Sequence, residues 1–292
     1  MDYNINFPHL GINLDYVIKS FDLFGFTIAM YGITMALGIL GGLFVALSEV
    51  KRTGQKEEHY YDIAFFGVIF SVICARIYYV IFSWDRYKDN ILDIFNLRQG
   101  GIAMYGAVIG AVATAFIYCH IKKLSWPLVF DTAVLGLITG QIIGRWGNFF
   151  NREVFGEYTD SLFAMQLPLS AVRSEDVSQL QMENLVEING VTYIQAHPTF
   201  LYESLWNLLV LILMLTIVRH KKKFDGEVFL FYLAGYGLGR FFIEWIRTDQ
   251  LKTWGLNIPV SMIVAAVTFV FALVMIIILR RKAIKNITED KE

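Results

Sequence analysis

Apolar runs of roughly 20 residues, the length a helix needs to cross the hydrocarbon of a bilayer, recur seven times along this chain. They lie at approximately Phe24–Ala46, Tyr61–Ser83, Ile102–Ile121, Pro127–Trp146, Phe200–Val218, Glu227–Trp245 and Pro259–Leu279. The connections between them are short, except for Asn151 to His197. In that stretch Val186-Glu187-Ile188 and Val191-Thr192-Tyr193-Ile194 flank Asn189-Gly190, and Asn-Gly between β-favouring runs signals a hairpin. The pattern predicts an all-α polytopic membrane protein of seven transmembrane helices, with a small extracytoplasmic head containing some β-structure. Residues 1–292 read as a single integral membrane domain, with 151–197 as a head inserted between spans four and five.

Basic residues orient the spans. Lys51, Arg52 and Lys56, then Lys122 and Lys123, then Arg219 and Lys221 to Lys223 all fall in connections on one side. Arg280, Arg281, Lys282 and Lys285 join them, so the positive-inside rule puts the C-terminus in the cytoplasm and the N-terminus outside. Opposite connections dilute their bases with acids, as in Asp85-Arg86-Tyr87-Lys88-Asp89. Asp15, Lys19 and Asp22 before the first span leave no basic region of the kind that opens a signal peptide. The charged tail after Ile284 is short and is expected to fray.

Composition agrees: 56% hydrophobic and 17% charged residues exclude an ordinary soluble domain, and a net charge of −1 gives no sign of a nucleic-acid partner. Cys74 and Cys119 sit in apolar runs without CxxC spacing, as small core residues do. Gly136, Gly140 and Gly144 recur every fourth residue, a spacing that lets helix backbones approach closely.

Against this background the polar residues stand out. Gln141, Arg145 and Asn148 share one face of the fourth span, and Asn151, Arg152 and Glu153 follow. A lone arginine there could simply snorkel to the interface, but this one has company. Tyr236, Arg240, Glu244 and Arg247 share a face of the sixth span, and His197 and Glu203 open the fifth. Tyr105 begins the third, and Tyr31 lies in the outer half of the first. With the orientation above, all of these approach the outer leaflet, and intramembrane charge is costly enough to mark function. Arg76, lower in the second span, reads as structural, paired with a carboxylate or backbone carbonyls. Taken singly, Arg240–Glu244 could be a helix ion pair, the tyrosines belt aromatics, and His197 a helix-entry residue before Pro198.

Guanidinium groups bind phosphate through a planar fork and stay charged when partly buried. The natural outer-leaflet anion is a phospholipid headgroup, and Asn and Tyr can hydrogen-bond a glycerol. No His/Cys/Asp cluster has metal-ligand spacing, and there is no G-x-S-x-G elbow or P-loop. No Ser or Cys has a base beside it, so a nucleophile must arrive with a second substrate.

The stretch Gly144-Arg145-Trp146-Gly147-Asn148-Phe149, continued by Asn151, Glu153 and Gly156, resembles the signature of the prolipoprotein diacylglyceryl transferases. His197-Pro198 through Tyr202-Glu203, Arg240-Phe241 through Glu244 and Arg247, and Gly100-Gly101-Ile102 through Tyr105-Gly106 are similar to further segments of that family, in the same order. The resemblance implies a bacterial cytoplasmic-membrane enzyme. It moves the diacylglyceryl group of phosphatidylglycerol to the lipobox cysteine of preprolipoprotein signal peptides and releases glycerol phosphate, with no metal or other cofactor. Its partners are these substrates and membrane lipids, with no nucleic acid. Carried over by position, Arg145, Arg240, Tyr105, His197 and Glu244 are the catalytic candidates. Arg145, Asn148, Asn151, Glu153, Tyr31, Glu203 and Arg247 are the candidates for substrate binding. One departure bears on mechanism: Tyr105 stands where well-known members carry a histidine, an attractive general base. The competing class is a transporter or lipid-binding channel, which calls for polar residues through the inner half as well. Another phospholipid-dependent transferase of the same architecture is a third reading.

Overall fold

A computed structural model describes residues 4–96, 100–250, 253 and 257–289. Two short strands, β1 (Ile5–Phe7) and β2 (Ile12–Leu14), precede a hairpin of β3 (Ser20–Leu23) and β4 (Phe26–Ala29). Helices α1 (Met30–Thr53), α2 (Glu57–Phe82), α3 (Met104–Lys122) and α4 (Trp126–Asn151) follow. Then come β5 (Met165–Pro168), the short α5 (Gln179–Glu183), β6 (Val186–Ile188) and β7 (Val191–Ala196). Helix α6 (Thr199–Leu213) passes through a π-helical turn, Met214–Val218, into α7 (Arg219–Lys221). The last two helices are α8 (Glu227–Ile246) and α9 (Val260–Glu289).

Six helical segments among the described residues are long and apolar enough to cross a membrane: α1, α2, α3, α4, Thr199–Lys221 and Val260–Asn286. The expected seventh span, α8, forms a 20-residue helix at its predicted place but is not among these six. Arg240, Glu244, three glycines and two tyrosines dilute its apolar character. The first span also starts later than expected. Phe24 to Ala29 belong to the β3–β4 hairpin, where Phe24 and Gly25 make the turn with φ of 50° and 81°. Phe26-Thr27-Ile28 is as apolar as a helix start, and hydropathy alone cannot separate the two. Past Ile284 the chain stays helical to Glu289, against the expected fraying, and the last three residues lie outside the described ones.

The chain divides into two compact units, Met1–Gly42 with Val134–Glu292, and Leu43–Ala133. In the first, five strands pair in the order β2-β1-β5-β7-β6. The Asn189-Gly190 hairpin forms as predicted, with both residues at positive φ (52° and 76°) and Ile188 opposite Val191. The N-terminal strands were not foreseen: Asn6 pairs with Gln166, so the sheet draws on residues outside 151–197. Ile5, Phe7, Leu167 and Ile194 cluster with Phe149 at the end of α4 and Phe200 at the start of α6. This apolar cluster holds those two helix ends against the sheet. Close backbone contact joins α1 to α4, since a Cβ on Gly42 would stand 2.4 Å from the Gly136 carbonyl oxygen.

In the second unit α2 and α3 are equally close: a Cβ on Gly106 would meet the Cys74 carbonyl oxygen at 2.5 Å. Arg76 is buried and donates to the carbonyls of Asp93 and Ile94 (both 2.7 Å), Asn96 (3.3 Å), Gly100 (2.7 Å) and Gly101 (3.0 Å). It therefore staples the connection before α3, in line with the structural reading. A lysine has a compact ammonium and cannot reach all five oxygens. Arg76→Lys should lose on the order of 1–3 kcal/mol of stability through carbonyls left short of a donor. The check is a lower thermal-aggregation temperature in detergent, with a smaller loss of activity than Arg145→Lys.

Candidate active site

Helix α4 ends in a way that positions three of the predicted residues. Arg152 takes a left-handed φ of 56°, its N–H bonds Phe149 O (3.2 Å), and Glu153 N–H bonds Asn148 O (3.2 Å). This is the Schellman pattern, which satisfies carbonyls that a helix end leaves open. The reversal folds Glu153 back onto the last turn of α4, where its Oε1 accepts from Asn148 Nδ2 (3.0 Å) and Asn151 Nδ2 (3.3 Å). Tyr31 of α1 packs on Gly147, where a Cβ would stand 2.7 Å from its ring, and it feels the charges of both Glu153 and Arg145.

One turn from Asn148, Arg145 meets α6 and α8. Its Nε pairs with Glu203 Oε2, and Tyr236 lies against the guanidinium. The other Glu203 oxygen accepts from Arg240 Nη1 at 2.6 Å. Arg240 Nη2 pairs with Glu244 Oε2 (2.5 Å), which lies 3.8 Å from Arg247 Nη1. Arg247 in turn makes a two-point contact with Asp249, at 2.9 and 2.6 Å. The result is an alternating chain, Arg145–Glu203–Arg240–Glu244–Arg247–Asp249, with Glu203 and Glu244 only 4% and 3% exposed. Three cations and three carboxylates balance, which is what makes such burial tolerable. Among the described ion pairs, Arg145 meets one carboxylate, Glu203, where Arg240 meets two, Glu203 and Glu244. Beneath it, Gln141 Nε2 donates to Tyr232 (2.8 Å), which stacks on Tyr236 with ring centroids 5.6 Å apart.

Such a site can grip a phosphate at one end of a charge-balanced row, and a polyol can hydrogen-bond to the neighbouring amides and tyrosines. Among the described residues no group of three His, Cys, Asp or Glu side chains is placed to hold a metal ion. A model of the prolipoprotein diacylglyceryl transferase family matches residues 19–278 of this chain. The chain belongs to the prolipoprotein diacylglyceryl transferase family. A phosphatidylglycerol–prolipoprotein diacylglyceryl transferase of Clostridioides difficile is 37% identical over 271 residues, covering 93% of this chain and 98% of the relative. The enzyme of that name from Listeria welshimeri is 42% identical over 256 residues, 88% of this chain and 87% of its own. One from Bacillus cytotoxicus is 40% identical over 257 residues, 88% and 89% of the two chains.

In this transferase-family chain the structure gathers Arg145, Glu203, Arg240, Glu244 and Arg247 into one row, with Asn148, Asn151, Glu153 and Tyr31 beside it. His197 makes no ion pair with that row among the described residues, though its backbone partner Gly156 is bridged to Arg247. Its Nδ1 is 3.3 Å from the Tyr202 hydroxyl, and its backbone pairs with Gly156 and Glu157. Burial lowers its pKa from the ordinary histidine value, against the pull of the Glu157 carboxylate. Tyr105, at the first turn of α3 in the other unit, is exposed and its ring lies 6.4 Å from that of Tyr78. Asp249 and the Tyr232–Gln141 link were missed. Asp249 stands only two residues beyond Arg247, a spacing that could have suggested it.

Proposed function

We propose that this protein transfers the diacylglyceryl group of phosphatidylglycerol to the lipobox cysteine of preprolipoproteins. The cysteine sulfur forms a bond to the terminal glyceryl carbon, the bond from that carbon to the phosphate oxygen breaks, and glycerol phosphate leaves. The thiol's proton goes to solvent or to the departing phosphate. The observation that carries this reading is Glu203 shared between Arg145 and Arg240, with Arg145 paired to that one carboxylate where Arg240 is paired to two among the described residues. Arg145 holds the phosphate, while Arg240 favours charge that grows on the leaving group in the transition state. Glu203 and Glu244 orient the two arginines, and Arg247 closes the row. Asn148, Asn151, Glu153 and Tyr31 hold the glycerol. Purified protein mixed with phosphatidylglycerol and a lipobox peptide should yield a peptide heavier by one diacylglyceryl group. A transporter or lipid channel would give no adduct, and a transferase of another specificity would give one only with a different donor or acceptor.

The thiol must be activated without the family's histidine. A free thiol has a pKa of about 8.5 and tyrosine about 10, so neutral Tyr105 is a poor base near pH 7. Nearby arginines can raise the thiolate fraction instead, and Tyr105 then serves as a hydrogen-bond donor to the phosphate or headgroup. Tyr105→His should keep activity, and Tyr105→Phe should lose about 10-fold, the upper range for a hydrogen bond to a charged group. His197 is the rival base. If His197→Gln abolishes turnover across pH while Tyr105→Phe leaves it untouched, an imidazole from the fifth predicted span replaces the arginine field.

The seven helices, α8 included, span the bacterial cytoplasmic membrane as a single domain, with the sheet outside as its head and the C-terminus in the cytoplasm. The basic connections support this orientation. In a variant lacking Cys74 and Cys119, a cysteine at Asn189 should react with a membrane-impermeant maleimide in intact cells, and one at Lys285 should not. The reverse labelling would undo the outward convergence of the arginines.

A further inference from the structure

Beneath the arginine row, hydrogen bonds pin together the three helices that supply it. Gln141 Nε2 of α4 donates to the Tyr232 hydroxyl of α8 (2.8 Å). Trp206 Nε1 of α6 donates to the Gly235 carbonyl of α8 (2.8 Å), and Ser204 Oγ of α6 to the Ile142 carbonyl of α4 (3.1 Å). The three bonds close a triangle of helices within about two turns of Arg145, Glu203 and Arg240. Two of its sides end on backbone carbonyls, which any sequence would offer. The third joins two side chains, and each stands four residues before a residue of the site, Gln141 before Arg145 and Tyr232 before Tyr236. Residues four apart share a helix face, so α4 and α8 meet in two rungs, Gln141–Tyr232 below and Arg145–Tyr236 above. The stack of Tyr232 on Tyr236, with ring planes 18° apart, couples the rungs.

Packing alone does not account for the lower rung. Tyr232 is 5% exposed, and Gln141 Oε1 is buried with no hydrogen-bond partner among the described residues. An amide oxygen buried without a donor is costly, and an apolar pair of the same shape would fill the space without that cost. What the rung adds is register. A hydrogen bond fixes how far α8 is slid along and turned about α4, where apolar contacts tolerate a shift. Helix α4 carries Arg145 and α8 carries Arg240, and both must reach the single Glu203 carboxylate. We infer that Gln141 and Tyr232 are positioning residues, which set the spacing of Arg145 and Arg240 across Glu203 for the transition state. The inference rests on the transfer reading and deepens it. Each residue acts through the helix that carries it, and Tyr232 also through Tyr236.

The test is a double-variant cycle of Gln141→Leu and Tyr232→Phe in the full-length protein. It is read as thermal-aggregation temperature in detergent, and as kcat and KM per folded molecule in the peptide-adduct assay. Tyr232→Phe keeps the ring and its stack but leaves the Gln141 amide without its acceptor, so the temperature should fall. Its kcat should fall about 10-fold, short of the ~100-fold that a full ångström of misplacement can cost. KM for phosphatidylglycerol should change little, because Arg145 itself is intact. The double variant exchanges both polar ends for apolar ones, so its temperature should return toward that of wild type. Its kcat should nevertheless stay about 10-fold down, because the register is still unset. A double variant that regains kcat along with its temperature would show the rung to be packing only and overturns the inference, as does Tyr232→Phe at wild-type kcat. Wild-type protein that yields no adduct overturns the transfer reading itself, and this inference with it.

Discussion

Glu203→Gln should cut turnover by about 100-fold, the largest single effect expected in this protein. Its carboxylate is 4% exposed and contacts Arg145 through one oxygen and Arg240 through the other. Removing one member of a buried ion network leaves the others uncompensated, at a cost of roughly 3–5 kcal/mol. Part of that cost is met by the two guanidiniums turning away, and a loss of about 2.7 kcal/mol in transition-state stabilisation corresponds to the 100-fold fall. Glutamine keeps the shape and one acceptor oxygen, so the loss would report charge rather than packing. The readout is kcat/KM for the peptide adduct in protein shown to be correctly inserted. Glu203→Asp, which keeps the charge on a shorter stem, should recover part of it.

Arg145→Lys and Arg240→Lys should each lose at least ~10-fold, about 1.4 kcal/mol, but in different parameters. A lysine keeps the charge and loses the planar fork. At Arg145, which is paired with one carboxylate among the described ion pairs, the loss should appear mainly as a raised KM for phosphatidylglycerol. At Arg240, both terminal nitrogens are already engaged, with Glu203 at 2.6 Å and Glu244 at 2.5 Å. Its role is to answer charge on the leaving group, so Arg240→Lys should lower kcat with KM little changed.

Parts of this arrangement were legible in the chain because they are local. The i, i+4 spacing of Arg240 and Glu244 foretold their contact, and Asn189-Gly190 foretold the hairpin with both residues at positive φ. Arg76 was read as structural, paired with a carboxylate or backbone carbonyls, and its five carbonyl acceptors agree. What depends on distant pairing was not legible. Asn6 and Gln166 are brought together across most of the chain, and β1 is only three residues long, too short for a period-2 signal. The double contact of Glu203 with α4 and α8 was likewise hidden, because no spacing within α6 encodes it. Arg152 was seen only as one more polar residue after the fourth span. Its left-handed turn, which folds Glu153 back onto the asparagines, belongs to backbone geometry that residue type disguises.

That Arg145 holds the phosphate, while Arg240 acts on the leaving group, is tested most directly by lipid retention without peptide. Wild type, Arg145→Lys and Arg240→Lys would be purified from membranes rich in phosphatidylglycerol, and bound lipid counted by native mass spectrometry. Wild type and Arg240→Lys should retain phosphatidylglycerol, and Arg145→Lys should have lost most of it. Retention by Arg145→Lys equal to that of wild type would contradict the phosphate clamp.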